Sequence, residues 1–235
     1  MVRSLRSYTE ADVTELARAA YSRGEASFDP DLSRAALLVI DMQNEFVKPG
    51  WCAFWVPEAT RMVSRLAFVI AAARQAGLPV IYTAFGATHR YLDRPRSGPS
   101  MPNRYPGEPD EELFSQPRVV PELTPRPEDL FILKPSYGAF YDTPLDTILH
   151  NLGRDTVIVT GTLTNLCCGT TARQAYERGY QVVFGADVTA TNDWAIHEAE
   201  LATLRYGFAR VLTAAQIIER LAEARSKSGS EPAAV

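Results

Sequence analysis

Apolar residues along this chain form short unbroken blocks, separated by stretches in which they recur every three or four positions. The first strong block, AALLVID at 35–41, stays apolar until an aspartate closes it. A continuous run of that length between polar residues is what a strand buried on both faces looks like. LPVIYTAF (78–85), LFILK (130–134), DTVIVTG (155–161), YQVVFGAD (180–187) and ARVLT (209–213) follow, making six strand candidates. Between them the spacing is helical, with helices expected from Pro57 to about Gly77, over 143–152, from Cys167 to Arg178, from Asp193 to Tyr206 and from Ala214 to Ala224. The first of these has proline near its start and glycine past its end, as helices usually do. Strands alternating with helices predict an α/β fold with a parallel sheet covered on both faces.

Residues outside this alternation suggest its limits. Val13, Leu16, Ala17 and Ala20 sit at helical spacing behind Thr9, so residues 1–34 are expected to hold an N-terminal helix and an arm. The main domain is expected over 35–225 and a frayed polar tail over 226–235. Residues 86–128 hold nine of the 16 prolines and predict a long irregular excursion, with one possible turn at EELF, 111–114. Loops of that length inside a compact domain usually carry function.

Composition excludes several classes. The 235 residues are 46% hydrophobic and 22% charged, an ordinary globular balance. Lys and Arg total 24 against 28 Asp and Glu, a net charge of −4 that offers nothing to nucleic acid. The longest apolar run, Leu66–Ala73, lies between Arg65 and Arg74 and is too short to cross a bilayer, which takes about 20 residues. The first residues carry no apolar core, so no secretory signal is expected. Three cysteines, Cys52, Cys167 and Cys168, argue against a disulfide framework and for a reducing, cytoplasmic setting. GxGxxG and GxxxxGK[ST] fingerprints are absent, so no nucleotide cofactor is expected.

In an open parallel sheet, ligands bind beyond the carboxyl ends of the strands where strand order reverses. Asp41 closes the first strand, Lys134 closes the third and Cys167 follows the fourth, bringing an acid, a base and a thiol to one rim. Singly, each has an ordinary structural explanation: a turn aspartate, a solvated lysine, a core thiol. Their shared position is what points to chemistry.

The segment GTLTNLCCGTTARQAYERGY resembles the nucleophile segment of the isochorismatase-like cysteine hydrolases. ALLVIDMQNEF and KPSYGAFYDTPLDTIL resemble the same superfamily's aspartate and lysine motifs, in the same order, with glycine replacing the usual serine of SAF. The resemblance spans about residues 30 to 220. It implies a Rossmann-like, three-layer α/β/α fold with a six-stranded parallel sheet of order 3-2-1-4-5-6. It also implies Cys167 as nucleophile, Asp41 as general base, Lys134 as third catalytic member and Cys168 as packing. A cis peptide between Leu163 and Thr164 is expected, with the backbone N–H groups of Thr164 and Cys167 forming an oxyanion hole. A helix N-terminus and a nearby ammonium should favour the thiolate.

Thiolate attack on an amide carbonyl, loss of ammonia and hydrolysis of a thioester would follow. The expected activity is that of the amidohydrolase branch, which includes N-carbamoylsarcosine, biuret and ureidoacrylate amidohydrolases. The alternatives are vinyl-ether hydrolysis using Asp41 alone and a catalytically silent binding member. The nicotinamidase branch carries paired histidines after the second strand, whereas this chain has His89 alone, so no metal is expected. His150 and His197 read as structural or solvated, and no GxSxG elbow is present. Phe46, Trp51, Trp55, Tyr137, Phe140 and Asn165 are candidates to contact substrate, with Phe54 beside them. Arg90, Arg94, Arg96 and Arg104 are candidates to hold a carboxylate. The partners expected are a small amide or ureido molecule and further copies of the chain, as a homo-dimer or homo-tetramer, with the N-terminal helix a candidate interface.

Overall fold

The computed structural model describes residues 7–86, 89, 92–95, 114 and 116–228. All six apolar blocks become strands of one sheet: β1 (Ala35–Ile40), β2 (Val80–Phe85), β3 (Leu130–Lys134), β4 (Thr156–Thr162), β5 (Gln181–Ala190) and β6 (Arg210–Leu212). Their order is β3-β2-β1-β4-β5-β6 and every pairing is parallel. The strand order reverses between β1 and β4, so the C-terminal ends of these two strands open the switch-point crevice.

Both faces of β1 are buried, and its residues divide by parity. Leu37 and Val39 join a core with α3 (Pro57–Gln75) and α7 (Ala214–Ser228), including Leu66, Ile70 and Ile217. Leu38 and Ile40 join a second core with α4 (Leu145–Asn151), α5 (Gly169–Glu177) and α6 (Trp194–Gly207), including Leu145, Ala172 and Leu204. Successive strand residues point to opposite faces, so a run apolar at every position supplies both cores at once.

At the crevice, Gly161 has φ +113°, and a Cβ there would overlap the Ile40 carbonyl oxygen. Glycine lets β4 approach β1 this closely. Beyond Val159 the β4–β5 register shifts, and Gly161 and Thr162 pair with Thr189 and Ala190. The Thr189 hydroxyl donates to the Gly185 carbonyl across this irregularity (2.8 Å), so β5 runs three residues past the expected 187.

Two small elements departed from expectation. A short α2 (Asn44–Val47) follows β1, and the nucleophile segment opens with a π-helical turn, Thr164–Cys168, before α5 begins at Gly169. The cis peptide joins Thr162 and Leu163, not Leu163 and Thr164. Thr162 is the last residue paired to β5 and Leu163 is still extended, so the chain departs from the sheet one residue earlier than the motif suggested.

The N-terminal helix is α1 (Glu10–Arg23), capped reciprocally by Thr9 and Asp12, with no buried residue. The expected turn at 111–114 lies outside the described residues except for Phe114. No helix among the described residues is long and apolar enough to cross a membrane.

Candidate active site

β1 stops because Asp41 takes a left-handed backbone, φ 50°, a conformation aspartate tolerates better than most residues. Its N–H donates to the Thr83 carbonyl of β2 (3.1 Å), and the Thr83 hydroxyl donates to Asp41 Oδ1 (2.7 Å). Oδ2 lies 2.7 Å from Lys134 Nζ as an ion pair. Neither side chain is exposed at all.

Lys134 is the last residue of β3 and points into the second core. Its ammonium donates to the Ser136 carbonyl (2.9 Å), pairs with Asp41 and hydrogen-bonds with Cys167. An ammonium has three donors, and each has a partner here. The Phe85 ring lies 5.5 Å from Nζ. Burial lowers the pKa of this lysine, but its interactions with Asp41 and Cys167 outweigh burial, so the net shift is upward.

Cys167 closes the group from the π-helical turn, 1% exposed. Burial pushes its thiol up to about 12 from an ordinary 9.0; Lys134 pulls it down and Asp41 pushes it up. The ammonium thus favours the thiolate, as expected, while burial opposes it. Cys168, buried beneath with Sγ 3.8 Å from the Thr160 carbonyl, is likewise raised and packs in the second core.

Of the aromatic candidates, Tyr137 faces the group. Its phenol is raised by burial and by the Cys167 charge, against Arg94 and Lys134. Phe46 is buried in an aromatic cluster, with Phe54 and Phe85 also around Phe114. Trp51 is half-exposed under the Lys48 ammonium (4.4 Å), and Trp55 donates to the Thr60 hydroxyl (2.8 Å), stapling its loop to α3. Phe140 packs between Tyr180 and Arg178, and Asn165 accepts from the Thr191 hydroxyl (2.8 Å). Trp51, Trp55, Phe140 and Asn165 thus make these contacts with groups other than the triad. Arg94 lies over the Phe85 ring at 4.3 Å. Arg90, Arg96 and Arg104 lie outside the described residues.

Several site-supporting residues escaped the sequence reading. Thr83 orients Asp41; its only signal was a hydroxyl inside a strand buried on both faces. Gln43 and Glu45 are buried in DMQNEF: Gln43 bridges to both backbone groups of Phe85, and Glu45 accepts from the Phe114 N–H (3.1 Å). They tie the loop after β1 to the end of β2 and to the returning excursion. His197, expected to be structural or solvated, is buried and bonded to the nucleophile turn. A cavity of about 480 Å³ lies beside it, lined by residues such as Arg61, Arg65, Asp187 and Trp194 but not by the triad.

Among the described residues no three His, Cys, Asp or Glu side chains converge, and the exposed His89 meets Asp93 as an i,i+4 pair at 3.0 Å. This donor set does not fit a tetrahedral catalytic metal, which takes about three protein ligands.

A sequence model of the isochorismatase domain matches residues 35–216. The chain belongs to the isochorismatase family. A ureidoacrylate amidohydrolase, RutB, of Methylobacterium radiotolerans is 32% identical over 197 residues, 76% of each chain. Nicotinamidase 3 of Arabidopsis thaliana is 35% identical over 185 residues, 77% of this chain and 85% of that one. The crystal structure of a cysteine hydrolase from Pseudomonas syringae pv. phaseolicola superposes with a TM-score of 0.77 at 29% identity, covering 86% of this chain and 99% of that one. The isochorismatase-family fold and strand order expected from the sequence are those observed, and the relatives include amidohydrolases.

Proposed function

We propose that this isochorismatase-family protein is a cysteine amidohydrolase that needs no metal and cleaves the C–N bond of a small amide, ureido or carbamoyl compound, releasing ammonia. The observation that carries this reading is the buried Lys134 ammonium, in contact with both the Asp41 carboxylate and the Cys167 thiol. Such a group stores a proton-transfer path from thiol to carboxylate while water is kept out.

The cycle begins with a neutral thiol. Asp41 takes the Cys167 proton as sulfur attacks the carbonyl carbon, and Lys134 stabilises the charges this creates. The backbone N–H groups of Thr164 and Cys167 receive the tetrahedral oxyanion; one such donor is worth about 2.7–4 kcal/mol in comparable enzymes. Protonated Asp41 then gives its proton to the departing nitrogen as the C–N bond breaks, leaving a thioester. Water, deprotonated by the same carboxylate, attacks the thioester and restores the thiol. Thr83 keeps Oδ1 engaged, so Oδ2 is the oxygen available for both transfers. Tyr137 bounds the site on the substrate side, with Phe46, Trp51, Trp55, Phe140 and Asn165 as further candidates. The absence of disulfides among the three cysteines supports a cytoplasmic setting, and the exposed Val13, Leu16 and Tyr21 of α1 support assembly into a homo-dimer or homo-tetramer.

The test is ammonia release across a panel of carbamoyl, ureido and simple amides. Cys167→Ala is expected to abolish turnover of whichever compounds the wild-type protein accepts. Undiminished turnover in that variant would move the chemistry to Asp41 alone and overturn the thiol mechanism.

A further inference from the structure

We propose that His197 is a positioning residue that holds the nucleophile turn in its reactive shape by way of Thr164. The inference rests on the thiol chemistry proposed above. His197 lies in the first turn of α6, with Nε2 3.0 Å from the Ala186 carbonyl oxygen and Nδ1 2.9 Å from Thr164 Oγ1. A carbonyl oxygen can only accept, so Nε2 carries the hydrogen. In the neutral ring Nδ1 is then an acceptor, and the Thr164 hydroxyl must donate to it. One tautomer satisfies both contacts. The ring is 5% exposed and the Trp194 indole stacks on it at 5.2 Å, so its orientation is fixed from several sides.

Thr164 is fully buried and is the first residue of the turn that ends at Cys168. The imidazole thus connects the irregular end of β5 to the start of the segment presenting Cys167. Other bonds hold the rest of the turn, among them Thr191 to Asn165 and the Thr171 hydroxyl to the Cys167 carbonyl (2.7 Å). The Thr164 carbonyl accepts from the Gly169 N–H, and among the described residues His197 is the partner of its hydroxyl, so this bond sets the rotation of the residue whose N–H is assigned to the oxyanion. A small rotation there moves that donor, and misplacement of a catalytic group lowers kcat more than it alters ground-state binding.

The two ring nitrogens can be replaced separately. His197→Asn places an amide oxygen near the Nδ1 position and keeps an acceptor for Thr164. His197→Gln places an amide nitrogen near the Nε2 position and keeps only the bond to Ala186. Thr164→Val removes the hydroxyl at constant shape. On an amide the wild-type protein hydrolyses, His197→Gln and Thr164→Val are expected to lower kcat about tenfold with KM little changed, while His197→Asn keeps most of the rate. The Gln/Val double variant should be no slower than either single one, because both remove the same bond. The reverse order of Asn and Gln, or a full rate in Thr164→Val, would overturn the proposal. A second readout needs no substrate: iodoacetamide labelling of Cys167 relative to Cys52, read by mass spectrometry. Loosening the turn exposes the thiol, so labelling should rise several-fold in the Gln and Val variants and not in Asn. Equal labelling in all three overturns the positioning role, whereas an absence of amide turnover in the wild type overturns the proposed function instead. If His197→Gln melts well below the wild type, the isosteric Thr164→Val carries the test.

Discussion

Thr83 shows how a single hydroxyl constrains the candidate chemistry. It occupies one oxygen of Asp41 at 2.7 Å, which leaves the other to face Lys134 and the thiol. Thr83→Val keeps the shape of the strand and frees Oδ1, so the carboxylate can rotate and both oxygens compete for the ammonium. Hydrogen bonds to charged groups are worth about 1.5–3 kcal/mol, so turnover is expected to fall on the order of tenfold or more. Steady-state rates on the best amide of the panel check this, and an unchanged rate would show that Asp41 is oriented by its ion pair alone. Cys167 carries the complementary lesson. Proximity to a cation suggested a ready thiolate, yet full burial raises the thiol's pKa against that pull.

At the scale of elements, the site depends on how strands end. Gly161 allows β4 to lie against the Ile40 carbonyl, one residue before Asp41. Gly161→Ala would combine steric overlap with a positive φ and is expected to destabilise the fold by more than about 2 kcal/mol, measured as a lower denaturation midpoint. A midpoint within error of the wild type would show that β1 and β4 can separate without cost. Strands and helices were largely legible in the sequence because burial on two faces writes itself as unbroken apolar runs, and amphipathic packing as a helical period. Asp41, Lys134 and Cys167 were legible because each directly follows such a run or its turn. What was not legible depends on partners distant in the chain. The extension of β5 to Ala190 follows from a register shift against β4, and the π-helical turn and the one-residue offset of the cis bond follow from where β4 loses its neighbour. Aromatic direction was equally hidden: Trp55 turns to Thr60 and Phe140 to Tyr180, contacts that local composition does not encode.

For the whole molecule, the buried thiols link folding to alkaline pH. Cys167 and Cys168 both titrate above the ordinary 9.0 when folded, so above that pH the unfolded chain releases protons that the folded chain keeps. Stability is therefore undiminished by them below pH 9 and declines as pH climbs toward about 12. Lys134 acts in the same direction, since its ammonium is held above 10.5 in the fold and its contribution is lost only beyond that. Denaturant midpoints taken from about pH 8 to about pH 11 should fall, and Cys167→Ala should flatten the slope. An equal slope in that variant would mean its thiol ionises as freely in the fold as out of it.

The central position of β1 also has a consequence for biosynthesis. The strand bearing Asp41 leaves the ribosome before its neighbours β2 and β4, and the cation that neutralises its carboxylate belongs to β3. At about 5–20 residues per second, the nascent chain holds this apolar strand without one of its two flanks for several seconds. During that interval its β4-facing edge stays bare, and only translation past Thr162 supplies the neighbour. A chaperone that shelters the emerging chain would therefore matter most until β4 has been translated.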